Sequence, residues 1–153
     1  MNKNIQLKIA LKNACLNILD ERMRNASMAM LSAQEAANSE GKSSAGDKYE
    51  TSRAMGQQDR DMNARQLEQA RKDIAFIQSL NVENENSRIG PGALVYTKDA
   101  IYFLAAGLGS VTIDSKQIHL VSPVAPLAKL LLDKIPGDKI SLNGREIEIL
   151  EIV

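Results

Sequence analysis

Several residue types are scarce in this chain, and each scarcity excludes a class of function. There is one cysteine, Cys15, no tryptophan, and only 3% aromatic residues. A lone cysteine cannot form an internal disulfide, and so few rings argue against a stacking platform for single-stranded bases. No stretch is apolar for long enough to span a bilayer, and the first four residues, Met-Asn-Lys-Asn, lack the apolar run of a signal peptide. We therefore expect a cytoplasmic protein without membrane association.

An excess of charge of either sign is also absent, because 19 basic residues balance 19 acidic ones. No long-range field attracts the protein to free nucleic acid or to an anionic surface. A role in nucleic-acid metabolism would therefore have to act through a protein partner. The sequence also shows no paired nucleophile and base and no cluster of metal-ligating residues, so a self-contained enzyme is not expected.

The first half of the chain contains no proline and is rich in residues that favour helices. Its apolar residues follow an alternating three-four spacing that is typical of a coiled-coil seam, interrupted at Lys12. The predicted seam consists of Ile9, Leu16, Leu19, Met23, Ala26, Met30, Ala33 and Ala37. Small turn-forming residues at positions 38–46 predict the end of this first helix.

A second helical stretch is predicted from about residue 48 to residue 80. Its apolar positions shift register between Met62 and Leu67, and they are Met55, Met62, Leu67, Ala70, Ile74 and Ile77. Two helices of about 30 residues that are joined by a short polar loop must pack antiparallel. Residues 1–80 are therefore predicted to form an antiparallel helical hairpin, a two-helix coiled coil.

Residues 81–88 are polar and predict a linker, after which the sequence pattern changes. Short β-type runs separated by turn residues occupy positions 93–96, 100–104, 110–113, 116–120, 139–142 and 146–153, and one short helix is predicted at 126–134. The pair Asn143 and Gly144 between two alternating runs is a strong hairpin signal. Residues 89–153 are therefore predicted to form a small α+β domain.

Two carboxylates stand three residues apart where the second helix is predicted to begin, at Asp47 and Glu50. One interpretation is a capping box, in which Asp47 accepts from first-turn amides and Glu50 reaches back to the Asp47 amide. The other interpretation is a pair of functional acids at the tip of the hairpin. The two interpretations are compatible with each other.

The carboxyl half resembles the carboxyl-terminal domain of the bacterial GreA/GreB transcript-cleavage factors. The family signature reads Ser-Pro-Leu-Gly-Lys-Ala-Leu-Leu-Gly-Lys-x-x-Gly-Asp, and it is matched at Pro126, Leu127, Lys129, Leu131, Leu132, Lys134, Gly137 and Asp138. Ala125 replaces the serine of the signature, and Ala128 and Asp133 replace its two inner glycines.

The tip of the hairpin is similar to that of the same family over a shorter stretch. The family tip reads Gly-Asp-x-x-Glu-Asn-x-x-Tyr, and Gly46, Asp47 and Glu50 fit it. Thr51 replaces the asparagine, and Arg53 and Ala54 stand where the family has Glu and Tyr.

The resemblance implies an α+β fold, with an N-terminal antiparallel helical hairpin followed by a small FKBP-like antiparallel β-sheet domain with one short helix. It implies an elongation factor that is not itself an enzyme and has no cofactor of its own. The carboxyl domain would dock on RNA polymerase, and the hairpin would enter the secondary channel. There Asp47 and Glu50 would assist catalysis as ligands of Mg²⁺ in the polymerase active centre, only within that complex.

The expected partner is therefore RNA polymerase, with nascent RNA engaged indirectly, and we expect the free protein to be a monomer. The candidate partner-binding residues are Ser122, Pro123, Pro126 and Leu127.

Two other functions stay open on the sequence. One is a regulator on the same scaffold that blocks the channel without stimulating cleavage, and the other is a coiled-coil adaptor with no link to transcription. Among single residues, His119 and Cys15 are expected to be packed and not catalytic. Arg53, Arg60 and Arg65 are expected to lie on a solvated helix face, with contact to RNA as the alternative.

Overall fold

The computed structural model describes the backbone of residues 2–42 and 46–153, and the side chains of these residues except 37, 39–42, 46–50 and 52. The elements in chain order are α1 (Lys3–Lys42), α2 (Gly46–Ser79), β1 (Leu94–Thr97), β2 (Ile101–Leu104), β3 (Gly109–Ile113), β4 (Lys116–Val121), α3 (Pro126–Leu131), β5 (Lys139–Leu142) and β6 (Arg145–Ile152). The predicted α+β class is confirmed, since a pair of long helices precedes a sheet with one short helix.

The chain divides into two compact units. One unit, called the body here, comprises Met1–Asn17 and Ala75–Val153, and the other, called the distal hairpin, comprises Ile18–Ile74. The body thus includes the first turns of α1 and the end of α2 as well as the sheet. The predicted linker, residues 81–88, belongs to the body and contains the buried Val82. The domain limits 1–80, 81–88 and 89–153 stay predictions.

The sheet has the strand order β3-β4-β2-β1-β6-β5. Every neighbouring pair is antiparallel except β2 and β4, which are parallel with Tyr102 opposite His119. The sheet is thus mostly antiparallel, as expected, and this pair of strands departs from that arrangement. The physical reason is that the chain leaves β2 and first forms β3 at the edge of the sheet. It then turns back into β4, which lies between β3 and β2, antiparallel to β3 and therefore parallel to β2.

The core of the body lies between α3 and one face of the sheet. Its buried members are Ile89, Ala93, Val95, Leu104, Ala128, Leu131, Ile140 and Ile149. Helix α3 ends at Leu131, earlier than the predicted 134, because Leu132 has an extended backbone with ψ at 133° and Asp133 adopts a φ of 62°. A residue in the left-handed region cannot continue an α-helix.

The turn between β5 and β6 has the conformation that its sequence predicts. Asn143 and Gly144 both have positive φ, 52° and 78°, and Leu142 lies opposite Arg145. Two consecutive residues with positive φ are typical of a type I′ turn, whose twist matches that of the flanking strands. The predicted hairpin at this position is confirmed.

Helix α1 is longer than its sequence suggests. It continues through residues 38–42, where turn-forming residues predict its end. The side-chain amide of Gln34 donates to Oδ1 of Asn38 at 3.2 Å, one turn further on. Such a pair stabilises a helix by about 0.2–0.5 kcal/mol, and this favours helix over turn at Asn38. The rest of the predicted turn, residues 43–45, lies outside the described residues.

Candidate functional site

The two acids predicted at the tip lie in the first turn of α2, which begins at Gly46. Asp47 and Glu50 are three residues apart on this helix, and this spacing places both on one face of it. Their side chains lie outside the part of the chain whose side chains are described. The backbone therefore supports a shared location for the two acids, at the end of α2 that follows α1.

The capping-box interpretation of the two acids stays a prediction. The side chains of Asp47 and Glu50, and residues 43–45 that precede α2, lie outside what the structure describes. Carboxylates inside the first turn still interact favourably with the positive end of the helix dipole, by about 0.3–1 kcal/mol each. The two acids thus have a role in helix stability that does not depend on capping geometry.

Near the tip of the distal hairpin, the less exposed face of α2 is not the predicted one, whereas the predicted positions Leu67, Ala70 and Ile74 are buried or half-buried. Met55 and Met62 are 61% and 47% exposed, while the half-buried positions near the tip are Gly56, Arg60 and Asn63. These positions continue, without any shift, the three-four spacing formed by Leu67, Ala70, Ile74 and Ile77. The predicted change of register is therefore wrong, because the seam continues through polar residues that a search for apolar positions passes over.

Arg60 is at the centre of a hydrogen-bond network in the distal hairpin. Its Nη1 donates across the two helices to Oε1 of Gln34, and its Nη2 donates to Oε1 of Gln57 at 2.6 Å. The Gln57 amide in turn donates to Oδ1 of Asp61 at 3.3 Å. Arg60 is thus a packed residue, and the expectation of a solvated face holds only for Arg53 and Arg65, which are exposed.

A groove of about 570 Å³ lies between the two helices of the distal hairpin. Three alanines, Ala26, Ala29 and Ala70, leave this space, and amide side chains border it at Asn25, Asn63, Gln66 and Gln69. Burial of apolar surface stabilises a fold by roughly 25 cal/mol per Å², and alanine side chains bury little of it. Apolar packing therefore contributes little to the pairing of the helices along this stretch.

In the body, Lys12 occupies the position that interrupts the predicted seam. Its ammonium group donates to the carbonyl oxygens of Gln78 at 3.2 Å and Leu80 at 2.9 Å. The last turn of α2 has no basic residue of its own. A cation at a helix C-terminus satisfies unpaired carbonyls and complements the dipole, and here α1 supplies that cation to α2.

Lys8 is wholly buried in the body, with 0% of its surface exposed. Its Nζ donates to the carbonyl oxygen of Asn84 at 2.8 Å and to Oδ1 of Asn86 at 3.2 Å. Burial lowers the pKa of the Lys8 ammonium below its usual range, and the nearby Glu85 carboxylate opposes that shift. Lys8 thus ties the segment that follows α2 to the first turns of α1.

Cys15 lies on the same face of α1 and is also completely buried. Its neighbour Leu16, which the apolar spacing places in the seam, is only half-buried. The seam at the base of α1 is therefore one residue away from the prediction. Burial raises the pKa of the Cys15 thiol to about 11. A buried thiol with a raised pKa holds little thiolate at neutral pH, so we expect Cys15 to react slowly.

The candidate partner-binding residues Ser122, Pro123, Pro126 and Leu127 lie together in the turn between β4 and the first turn of α3. The Ser122 carbonyl accepts from the Ala125 amide at 3.0 Å, and its hydroxyl oxygen accepts from the Val124 amide at 3.3 Å. Pro126 is exposed, and Val124, between the two prolines, is 74% exposed. The turn presents apolar groups on a backbone that its own hydrogen bonds hold in place.

His119 packs beside an aromatic ring on the sheet, as expected. Its ring centroid lies 5.6 Å from that of Tyr102, with the two planes at 35°. Burial raises the pKa of Tyr102, while Arg145 lowers it and Asp99 raises it to smaller extents. Tyr102, Asp99 and Arg145 also line a small cleft of about 180 Å³ in the body. Its lining mixes cations and anions, so it shows no preference for a ligand of one charge.

The side chains that the structure describes contain no group of three or more His, Cys, Asp or Glu residues that could hold a metal ion. Asp47 and Glu50 are not among those side chains. Within residues 2–42 and 46–153, none of the helices combines the length and the apolar character needed to cross a membrane.

No family model matches the chain, and no curated protein matches it.

Proposed function

We propose that this protein is an accessory factor of RNA polymerase that brings Asp47 and Glu50 to the polymerase active centre and stimulates cleavage of backtracked transcripts. The observation that carries the proposal is the location of both acids in the first turn of α2, where two long paired helices join. In the distal hairpin each helix is about 40 Å long at 1.5 Å per residue. Side chains at the joined ends of such helices suit delivery into a deep, narrow site.

The body gives further support through the residues that match the Gre-type signature. Leu131 is buried in its core, beside Ala128, which replaces a glycine of the signature. Gly137 has a φ of 93°, and Oδ2 of Asp138 accepts from the Ile135 amide at 3.0 Å, which closes the turn after α3. These residues build α3 and its exit, so they bear on the fold of the body. A fold alone does not decide function, and the acids at the tip are needed to complete the argument.

The chemistry required of the chain itself is limited to two carboxylates held on one helical turn. Hard oxygen ligands suit Mg²⁺, which keeps several waters and needs only one or two protein carboxylates. Bound beside the polymerase's own metal, such an ion would supply an activated water and neutralise charge on the leaving oxygen. Asp47 and Glu50 would bind through their oxygens and orient the water. A pair of carboxylates is a weak metal site by itself, which makes the protein an accessory factor and not an enzyme.

Docking on the polymerase would use the turn before α3. The exposed apolar groups of Val124 and Pro126 lie there beside the candidate residues Ser122, Pro123 and Leu127. The hydrogen bonds that hold this turn reduce the ordering cost on binding, because a preorganised surface loses little conformational freedom. In this arrangement the nascent RNA is reached only through the polymerase, in keeping with a chain of zero net charge.

A cleavage assay on a stalled, backtracked RNA polymerase from the same organism tests the proposal. The test variant combines Asp47→Asn with Glu50→Gln, which removes both charges and keeps polar side chains of the same size. The matched control combines Asp59→Asn with Glu68→Gln, two exposed acids of the same helix. Wild type and control should shorten the transcript, whereas the test variant should cleave at least about 100-fold more slowly, in the range of other catalytic groups.

Two other results would each replace the proposal with one of its alternatives. If wild type, control and test variant all slow RNA synthesis without cleavage, the hairpin blocks the channel and the acids only stabilise α2. If the protein does not bind the polymerase and sediments as an oligomer, it is a coiled-coil adaptor.

A further inference from the structure

The distal hairpin has little apolar material with which to fix the alignment of its two helices. Among the side chains described for residues 18–74, the fully buried apolar ones are Leu19, Ala26 and Ala70. Alanines separated by whole heptads can be exchanged for one another when one helix slides along the other. Apolar packing therefore distinguishes the observed alignment from a shifted one only weakly.

A specific alignment can instead come from the polar seam, which we define as the half-buried positions Gly56, Arg60 and Asn63 of α2. Arg60 occupies a seam position of α2, between Gly56 and Asn63, and it donates across the hairpin to Gln34. No other hydrogen bond between the two helices is present among the described side chains of residues 18–74. In coiled coils, one polar residue at a seam position can specify the register of the helices at some cost in stability.

A shifted register would leave this network without its partners. Gln34 is held by Asn38 on its own helix, and Arg60 is held by Gln57 on the other. Sliding α1 along α2 would separate Gln34 from Arg60 while both are half-buried. An unsatisfied polar group costs about 1–3 kcal/mol when it is fully buried. The cost is smaller for these half-buried side chains, but exchange of one alanine for another changes the apolar packing very little and does not offset it.

Register matters for the tip because α1 and α2 are joined. Changing the pairing by one heptad would move the position of the turn along the chain by three or four residues, that is, by about one helical turn. Such a shift is enough to take Asp47 out of the first turn of α2. We propose that Gln34 and Arg60 set the register of the hairpin and thereby position Asp47 and Glu50. The second half of this statement depends on the proposed function, and the first half does not.

The test uses two double variants of the full chain. In Gln34→Leu with Arg60→Leu, apolar groups replace the pair, and such replacement of buried polar partners is often neutral or stabilising. In Gln34→Arg with Arg60→Gln, the two partners are exchanged, so the cross-helix bond can form in the opposite direction. If the double leucine variant loses the wild-type register and the exchanged variant recovers it, the pair sets the register and does not act only through stability.

Register is measured directly by pulsed electron paramagnetic resonance between nitroxide labels on cysteines at positions 28 and 62. Met28 and Met62 are both exposed, one on each helix, and the buried Cys15, with its pKa of about 11, should stay unlabelled at pH 7. Wild type and the exchanged pair should each give one narrow distance. The double leucine variant should give a second distance or a broad distribution, with a melting temperature that is not lowered.

Transcript cleavage measured on the same proteins completes the test. The double leucine variant should lose cleavage rate in proportion to the fraction of molecules that leaves the wild-type distance, and the exchanged pair should recover to within about threefold of wild type. A single wild-type distance in the double leucine variant would overturn the register role. A changed distance with unchanged cleavage would overturn the positioning role. If the wild type itself does not cleave, the proposed function fails, while the distances still decide the register.

Discussion

At the scale of single residues, Lys8 and Cys15 are two buried titratable groups with opposite effects on stability. They are seven residues apart on α1 and therefore share a face. Burial lowers the pKa of Lys8, so between that pKa and 10.5 the unfolded chain holds a proton that the folded chain has released, and stability rises with pH. Burial raises the pKa of Cys15 from 9.0 to about 11, so the sign is reversed for the thiol.

The thiol effect can be isolated with the variant Cys15→Ala. Between pH 9 and pH 11 the unfolded chain loses a thiol proton that the folded chain keeps, so the contribution of Cys15 is fully present below pH 9 and is lost as the pH rises. The difference in free energy of unfolding between wild type and variant should therefore shrink by about 1 kcal/mol from pH 8 to pH 10. Urea unfolding followed by circular dichroism measures it, and other titrating groups cancel in the difference.

A neighbouring variant serves as the control for this pH dependence. Leu16→Ala removes a half-buried side chain that does not ionise, so its cost should be the same at every pH. Parallel stability profiles for wild type and Cys15→Ala would show that the thiol is not desolvated in the folded body.

At the scale of elements, α3 lacks a side-chain cap at its N-terminus. Ala125 has the extended backbone of a cap residue, with φ at −66° and ψ at 150°, but no side-chain oxygen to accept from the first turn. Pro126, at the first helical position, needs no partner for its nitrogen. The resemblance places a serine at this position. The missing hydroxyl is therefore a local defect in an element that packs on the core through Ala128 and Leu131.

Restoring the cap should stabilise the body. Ala125→Ser supplies an acceptor in a backbone conformation that already suits it, and the expected gain in free energy of unfolding is about 1 kcal/mol. The measurement is urea denaturation at pH 7. Ala125→Cys is the matched control, because its side chain has nearly the same shape and sulfur is a weak acceptor. An equal gain in both variants would attribute the effect to packing and not to capping.

At the scale of the whole molecule, burial is distributed very unevenly between the two units. The body contains nearly all of the buried apolar side chains, whereas the described part of the distal hairpin contributes Leu19, Ala26 and Ala70. Most helical stability in proteins comes from packing of an apolar face and not from helix propensity. The distal hairpin should therefore open locally at a much smaller cost in free energy than the body.

Amide hydrogen exchange should resolve this difference. Amides of α2 between residues 56 and 70 should exchange at least about 100-fold faster than those of β1 and β6, which corresponds to a difference of about 2.7 kcal/mol in opening free energy. Nuclear magnetic resonance at pH 7 measures the exchange rates of the helix amides and of the strand amides in one sample. The double leucine variant at positions 34 and 60 should slow exchange in the hairpin and leave the strands unchanged. Equal protection of helices and strands would contradict a separately opening hairpin.

Local signals in the sequence were sufficient for much of the fold. The strands, α3 and the turn at Asn143 and Gly144 were predictable because each depends on a few adjacent residues. The polar seam was predictable as well, since the spacing from Ile77 back through Leu67 leads to Arg60. The spacing of apolar residues alone does not indicate it, because Gly56, Arg60 and Asn63 carry no large apolar side chain.

Other features depend on residues that are far apart in the chain. The burial of Lys8 requires the Asn84 carbonyl, 76 residues further on, and no local pattern around Lys8 indicates this. The parallel pairing of β2 with β4 requires a strand order that alternating hydrophobicity does not specify. For the candidate site, the placement of Asp47 and Glu50 at the start of a helix was predictable from turn residues, whereas the network around Arg60 required the structure.

The body is discontinuous in sequence, and this has a consequence for protein synthesis. Asn4 donates to Glu151, 147 residues later, and the Val153 amide donates to the Leu94 carbonyl. Translation proceeds at about 5–20 residues per second, so residues 3–17 are made several seconds before the last strand that they contact. The body can therefore close only after β6 has been synthesised, whereas the hairpin helices, which are adjacent in the chain, can pair earlier.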